Sequence, residues 1–181
     1  MIQCCCSEIG KYLGLPTHAY LGLSDSKTVD AQSGFESGIG IIMGTLAGIN
    51  VISGPGMLDF ESCQSFEKLI IDNEICGQAL RLNKGIEVSN DTLAIDLIKT
   101  IAHDGNFLTN KHTLDWFKKE QYIPTMVLDR NRRSFRKYYS NDICRRAIMH
   151  AKKLLAEHKP EPLDPNVERK LDNLMKNIMS Y

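Results

Sequence analysis

The chain has 181 residues, 43% of them hydrophobic, with 22 Lys+Arg against 22 Asp+Glu and no formal net charge. That length points to one domain with room for an appendage, and six prolines with 13 glycines do not give the composition of a disordered chain. The most apolar run, "IGIIMGTLAGI" (Ile39–Ile49), is about half of the ~20 residues that cross a bilayer, so no membrane span is expected.

The elements read as follows in chain order. Met1–Leu13 has the character of an amphipathic helix stopped at Gly14 and Pro16, and "THAYLGL" (Thr17–Leu23) of a short strand. A polar stretch follows, then a helix over about Asp30 to Ile49, in which Ala31, Phe35, Ile39, Ile42, Met43 and Leu46 recur at three- and four-residue steps as the expected inner face. Its five glycines (34, 38, 40, 44 and 48) each cost a helix about 1 kcal/mol relative to alanine, which implies close packing against a neighbouring backbone. "NVISG" (Asn50–Gly54) is a second strand and "GPGMLDFESC" a second polar loop. A long helix over Cys63–Asn83 is expected to turn Phe66, Leu69, Ile70 and Leu80 inward.

Beyond Gly85 the pattern is helical. Ser89 or Asn90 caps a segment carrying Leu93, Leu97 and Ile101, and Asn110 caps one running to about Gln121 with Leu114 and Phe117 inward. Asn141 starts a third, lined by Ala147, Ala151, Leu154 and Leu155. After the stiff linker "HKPEPLDP", Asp164–Pro165 opens a fourth with Val167, Leu171, Leu174, Met175 and Ile178 on one stripe. The expected organisation is βα units over 1–88 and a helical extension over 89–181.

The balanced charge hides an asymmetry. Residues 1–108 carry 6 basic and 13 acidic side chains, and residues 109–181 carry 16 and 9. The densest basic run is "DRNRRSFRKYY", Asp129–Tyr139; it reads as a solvated face or a partner for the acidic half, with nucleic-acid binding through Arg130, Arg132, Arg133 and Arg136 the weaker reading. None of the six cysteines forms C-x-x-C, and the adjacent Cys4, Cys5 and Cys6 on a helix point three ways, which fits free thiols in a cytoplasmic chain. No basic n-region with a long apolar h-region stands at the N-terminus, so no signal peptide is expected. P-loop, G-x-S-x-G and H-E-x-x-H motifs are absent, and no Cys/His spacing supports zinc.

Strand–loop–helix twice over is the grammar of parallel βα units, whose strand-exit loops gather on the face where α/β barrels keep their active sites. Asp25, Lys27 and Asp30 fall in the first such loop, with helix capping and surface pairing as the plain alternatives for each.

Several ordered blocks carry a resemblance: "GLSDSKTVDAQSGFES", "GMLDFESCQSFEKLIIDNEICG", "GIEV", "HTL" and "AEHKPEPLDPNVERKLD". From about Gly14 to the end the chain resembles the C-terminal part of the trimethylamine methyltransferase family, the corrinoid-dependent enzymes of anaerobic archaea and bacteria. The resemblance implies the last few βα units of a (β/α)8 TIM-type barrel followed by a C-terminal helical segment. It implies transfer of a methyl group from trimethylamine, or from a quaternary amine such as a betaine, to the cobalamin (corrinoid) of a partner corrinoid protein, with no cofactor bound covalently. Some relatives carry pyrrolysine at the barrel mouth; none is written here.

A closed barrel takes about 250 residues, so the chain is expected to be a truncated frame, an excised piece or one half of a split protein. Its open strand edges are expected to pair with the missing barrel half or with a second copy. Cobalt supplies the nucleophile in such chemistry, and the protein must hold the ammonium, aim its methyl group and exclude water. Aromatic faces and carboxylates suit a quaternary ammonium. Tyr20 is the best-placed aromatic, with a core role as its alternative, and Asp25, Asp59 and Glu67 are the acidic candidates. Lys27 suits the carboxylate of a betaine. No catalytic side chain is singled out and no metal site is expected. His112, Arg132 and Arg133 are candidates for contact with the corrinoid or its protein, with a surface or capping role as the alternative for His112, and His18 is expected to be packed. A non-catalytic fragment that only binds a partner is the rival reading, and a nucleic-acid module the weaker one.

Overall fold

The computed structural model describes residues 1–101, 103, 105–128 and 142–179. They divide into two compact units, Met1–Ala151 and Lys152–Tyr181.

In the first unit, α1 (Ile2–Tyr12) leads through Gly14, at φ +69°, into strand β1 (His18–Tyr20). Helix α2 (Ala31–Leu46) returns the chain to β2 (Val51–Ser53), which lies parallel to β1 with His18 opposite Val51 and Tyr20 opposite Ser53. The expected βα grammar is therefore present. The strand starts are tied by the Asn50 carboxamide oxygen, which accepts the Thr17 N–H (2.9 Å) and hydroxyl (3.1 Å). Asp30 caps α2 reciprocally: its carboxylate accepts the Ser33 N–H at 2.9 Å, and the Ser33 hydroxyl accepts the Asp30 N–H at 3.1 Å.

The second polar loop holds a hairpin that alternation over so few residues does not reveal. Gly54 (φ +107°) and Gly56 (φ +87°) turn the chain into β3 (Met57–Leu58), which pairs antiparallel with β4 (Cys63–Gln64). Cys63 thus belongs to a strand, and α3 (Phe66–Lys84) starts later than its apolar spacing suggests, capped by the Ser65 hydroxyl on the Lys68 N–H. The first unit is α/β and mostly helical, with two two-stranded sheets, and no closed barrel occurs among the described residues.

Helices α4 (Asn90–Leu93) and α5 (Ile95–Ile101) replace the single helix expected there, because Ala94 adopts φ +49° between them. Helix α6 (Lys111–Glu120) follows its Asn110 cap as expected, yet Leu114 and Phe117 are exposed rather than inward. Helix α7 (Ile143–Glu157) turns Ala147 and Ala151 into the core, while Leu154 and Leu155 stay exposed. Asn141, its expected start, lies outside the described residues. In the second unit, α8 (Pro165–Met179) is opened by Asp164, whose carboxylate accepts the Asn166 N–H, and its apolar stripe is exposed.

The apolar periodicity of α2 and α3 points the wrong way. Phe35, Ile39, Ile42, Met43 and Leu46 are all exposed, and α2 buries Ser33, Ser37, Ile41 and Gly44. On α3, Ile70 packs partly buried against the core as expected, whereas Phe66, Leu69 and Leu80 are exposed, and Lys68, Ile71, Asp72, Glu74 and Ala79 are buried. Close approach explains part of this. A Cβ on Gly40 would stand 1.8 Å from the Leu21 carbonyl oxygen, so α2 rides directly on the end of β1.

Buried charge explains the rest. The Lys68 ammonium, 1% exposed, sits 2.5 Å from the Asp72 carboxylate, 0% exposed, one helical turn away. It also donates to the Ser37 hydroxyl (2.7 Å) and the Gly22 carbonyl (3.3 Å), while the same Asp72 oxygen accepts the Gly56 N–H at 2.7 Å. One pair thereby fixes α2, α3 and both strand exits. Burial pushes the Asp72 carboxyl above its ordinary range, against the pull of the Gly56 N–H and Lys68.

On its other side α3 holds the segment after α6. The buried Glu74 carboxylate accepts the Tyr122 hydroxyl (2.8 Å) and the Thr125 N–H (3.1 Å), and burial with Glu74 alongside pushes the Tyr122 phenol up to about 12. Val127, Ile71 and Ala147 close the apolar core there, with Val29 of the first loop packed against them.

Removing one member of a buried pair leaves the other uncompensated, at a cost of roughly 3–5 kcal/mol, whereas removing both is far milder. Lys68→Met and Asp72→Leu are each expected to lower unfolding stability by an amount in that range. The double variant should lose at least about 1 kcal/mol less than the two singles together, as a double-mutant cycle in denaturant reads directly.

Candidate functional site

The two loops that leave β1 and β2 are laced together by main chain. The Ser24 N–H donates to the Met57 carbonyl (3.2 Å), the Asp59 N–H to the Ser26 carbonyl (2.9 Å) and the Phe60 N–H to the Ser24 carbonyl (3.0 Å). Inside the first loop, Glu36 of α2 reaches back: its carboxylate accepts the buried Ser24 hydroxyl (2.6 Å), the Asp25 N–H (2.9 Å) and the Gln32 amide (3.0 Å). Ser26, also buried, donates to the Thr28 carbonyl and to Asp30. Chiefly the Ser24 hydroxyl holds the Glu36 carboxyl below its ordinary range, and chiefly the Ser33 N–H does the same for Asp30.

This lacing places three of the expected site residues together. The Lys27 ammonium lies 3.0 Å from the Asp59 carboxylate and donates to the Asp25 carbonyl at 2.7 Å, with Lys27 and Asp59 open to solvent. Asp59 and Phe60 adopt φ +48° and +61°, a region that side chains occupy at a cost of about 1–3 kcal/mol each. The strain sits at the point where the second loop meets the first.

Tyr20 ends β1 just below these loops. Its ring is 43% exposed, on the strand face away from the buried Ala19, so it is not a core residue. His18 stands on the same face, edge-on to Tyr20 at 5.1 Å, with its Nε2 2.7 Å from the Ser53 hydroxyl of β2. It is exposed rather than packed, because strand alternation turns 18 and 20 to the open side and Ala19 to the helices. The polar face His18–Tyr20–Ser53 adjoins the loop cluster and was not singled out as a group by sequence pattern; the alternation of "THAY" with "NVIS" was its signal.

The other expected residues are held elsewhere. Glu67, in the first turn of α3, lies near Cys144 of α7, where burial first and Glu67 second raise the thiol. The ring of His112 is bound to another helix. Its Nε2 donates to the Asp91 carbonyl at 2.7 Å, while its ring faces Trp116 and its main-chain N–H receives the Asn110 cap. It thus fastens α6 to α4, with Trp116 adding a bond to the Asp91 carboxylate. Arg132 and Arg133, and the basic run around them, lie outside the described residues. No group of three or more metal-binding side chains occurs among the described residues, and none of their helices is long and apolar enough to cross a membrane.

The family model described as trimethylamine methyltransferase (MTTB) matches residues 1–179. The chain belongs to that family. A glycine betaine methyltransferase of Desulfitobacterium hafniense is 35% identical to it over 168 residues, covering 91% of this chain and 34% of the relative. A trimethylamine methyltransferase from the same species is 30% identical over 176 residues, covering 97% and 35%. One from Methanosarcina thermophila is 30% identical over 169 residues, covering 92% and 34%. The chain therefore spans about a third of the length of the curated relatives it matches. The match takes in α1, so the family likeness begins before Gly14.

Two outcomes test the loop cluster. Glycine takes positive φ without penalty, so Asp59→Gly should raise unfolding stability by about 1 kcal/mol although it deletes the exposed Lys27 pair, which is worth little. Carboxyls held low stabilise the fold above the ordinary carboxylate range and lose that contribution as pH falls through their own, lower values. Hydrogen-exchange protection of the Asp25 and Ser33 amides should therefore hold at neutral pH and drop once the pH passes below about 4, before the α3 amides respond.

Proposed function

We propose that this chain contributes to a corrinoid-dependent methyltransferase that takes a methyl group from trimethylamine or a quaternary amine such as a betaine. The observation that carries the reading is the match of residues 1–179 to the family. Its geometric support is a strand-exit cluster in which Lys27 pairs with the Asp59 carboxylate and bonds the Asp25 carbonyl, with an exposed Tyr20 at the end of β1. In the same reading, residues 1–88 are βα units of a partial (β/α)8 barrel, 89–181 its helical extension, and the protein works in the cytoplasm.

A corrinoid on a partner protein supplies the cobalt nucleophile for the methyl group. This chain's residues do the holding. The Tyr20 face receives the ammonium, which has no N–H to bond and is favoured by a ring quadrupole. Asp25 and Asp59 add negative potential at the rim. Lys27, mobile on a 73% exposed side chain, leaves Asp59 to meet the carboxylate of a betaine. Glu67 is the outlier of the proposed set, since it faces α7, and its part is to shape the support of that rim. His112 positions the α4–α6 corner, and Arg132 and Arg133 are proposed to contact the corrinoid protein. The open edges of β1 and β2 pair with a polypeptide that completes the sheet, or with another copy.

The decisive experiment mixes the purified chain with a reduced corrinoid protein and, separately, trimethylamine and glycine betaine, and follows the cobalt absorption spectrum. Methylation is expected with at least one amine, and Tyr20→Ala should slow it by roughly ten- to thirtyfold, the worth of a desolvated cation–π contact. A spectrum unchanged by any amine overturns catalysis by this chain and leaves the partner-binding reading. That second reading is favoured by the third of the relatives' length that the chain spans.

A further inference from the structure

The open face of the β1–β2 pair carries polar groups to which the proposed function gives no part. In register, Tyr20 lies opposite Ser53 and His18 opposite Val51. Side chains alternate along a strand, and neighbouring strands run about 4.8 Å apart, so these four stand side by side on one face. His18, Tyr20 and Val51 are exposed and Ser53 is half-buried, while Ala19 turns to the other side and is buried. An aromatic ring, a branched aliphatic chain and a hydroxyl are thus grouped on the scale of one small N-methylated ammonium.

The hydroxyl has an acceptor to spare. His18 Nε2 lies 2.7 Å from Ser53 Oγ, and that bond runs one of two ways. With Nε2 bare, the Ser53 O–H donates to it; with Nε2 protonated, the ring donates to Oγ. A hydroxyl oxygen has two lone pairs, so at least one is left over in either case. The two classes of amine differ at the atom that would use it. A tertiary ammonium carries one N–H, and a quaternary ammonium carries a carbon in its place. A charged N–H brought against an aromatic face loses water and requires an acceptor, and Ser53 Oγ is placed to be one.

We infer that Ser53 accepts the N–H of a tertiary ammonium seated on Tyr20, and that this face favours trimethylamine over a quaternary amine. This rests on the proposed function, in which Tyr20 receives the ammonium, and narrows the class of amine which that proposal leaves open. His18 is a positioning residue: it touches no substrate and orients the Ser53 hydroxyl through their shared bond. Val51 offers apolar contact to the methyl groups on the same face. A site that bonds a substrate N–H discriminates against the analogue lacking it, because the site's own polar group then loses a partner. On a face partly open to water the effect falls short of that in a sealed pocket, and one bond to a charged donor gives roughly tenfold.

The test titrates the full 181-residue chain at pH 7 with trimethylammonium chloride and, separately, with tetramethylammonium chloride, which has the same charge and a methyl group in place of the N–H. The Tyr20 ring signals in NMR report binding without any corrinoid. Trimethylammonium is expected to bind roughly tenfold more tightly. Ser53→Ala should bring the two ligands to equal affinity, and Ser53→Thr, which keeps the hydroxyl and suits a strand, should retain the preference. His18→Phe should reduce the preference severalfold and leave tetramethylammonium affinity unchanged; a full preference there overturns the role given to His18. Equal affinities in the wild-type chain overturn the inference, and so does a preference that survives Ser53→Ala, since the acceptor then lies elsewhere. Tyr20→Ala separates this from the proposed function, because it should weaken both ligands alike. Equal wild-type affinities that fall together in Tyr20→Ala overturn the choice of amine alone, whereas a wild-type chain whose Tyr20 signals respond to neither ligand overturns the Tyr20 site and the inference with it.

Discussion

The Lys68–Asp72 pair is the constraint on which the fold of the first unit rests. Two full charges without access to water are tolerated only when hydrogen bonds from fixed groups complete their shells. Here those groups are the ends of other elements: the Gly22 carbonyl at the exit of β1, the Gly56 N–H after β2 and the Ser37 hydroxyl on α2. The need to satisfy the charges therefore brings two loops and two helices into one arrangement. One carboxylate oxygen of Asp72 finds no partner among the described residues, which makes the site costly to form.

The loop cluster inherits its shape from that pair. Lys68 and Asp72 set where each loop departs, and Glu36, Ser24 and Ser26 then set how the first one curls. The second meets it through three main-chain bonds and bends into positive φ at Asp59 and Phe60. A rim built on backbone hydrogen bonds leaves its charged tips outside, and Lys27 and Asp59 meet there as an exposed pair. The chain belongs to its family by sequence and spans about a third of the relatives' length.

Much of the frame was legible in sequence because caps and β-branched runs act locally. Asp30, Asn110 and Asp164 each cap the helix that their spacing announces, and "THAY" and "NVIS" each become a strand. The facing of α2 and α3 was not legible, because apolar periodicity assumes that the apolar side is the inner one. Here the inner side is polar, held by long-range bonds between residues 31 and 46 positions apart. A lysine and an aspartate four apart, in a helix following a serine- and glycine-rich one, were the available sign. The hairpin at Met57–Gln64 escaped because two-residue strands leave no period to read. At the site, Asp25, Lys27 and Asp59 come together as their loops suggested, whereas Glu67 is turned to α7 and His112 is spent on Asp91.

The separation of 46 positions between Gly22 and Lys68 also governs the order of assembly. During synthesis at about 5–20 residues per second, the first strand and its charged turn leave the ribosome some seconds before the lysine that anchors them exists. Until then the turn has only its own serines and Glu36 for company, and the sheet is a pair of loose ribbons. Maturation of the rim is thus a late event, timed by arrival of the third helix rather than by its own residues.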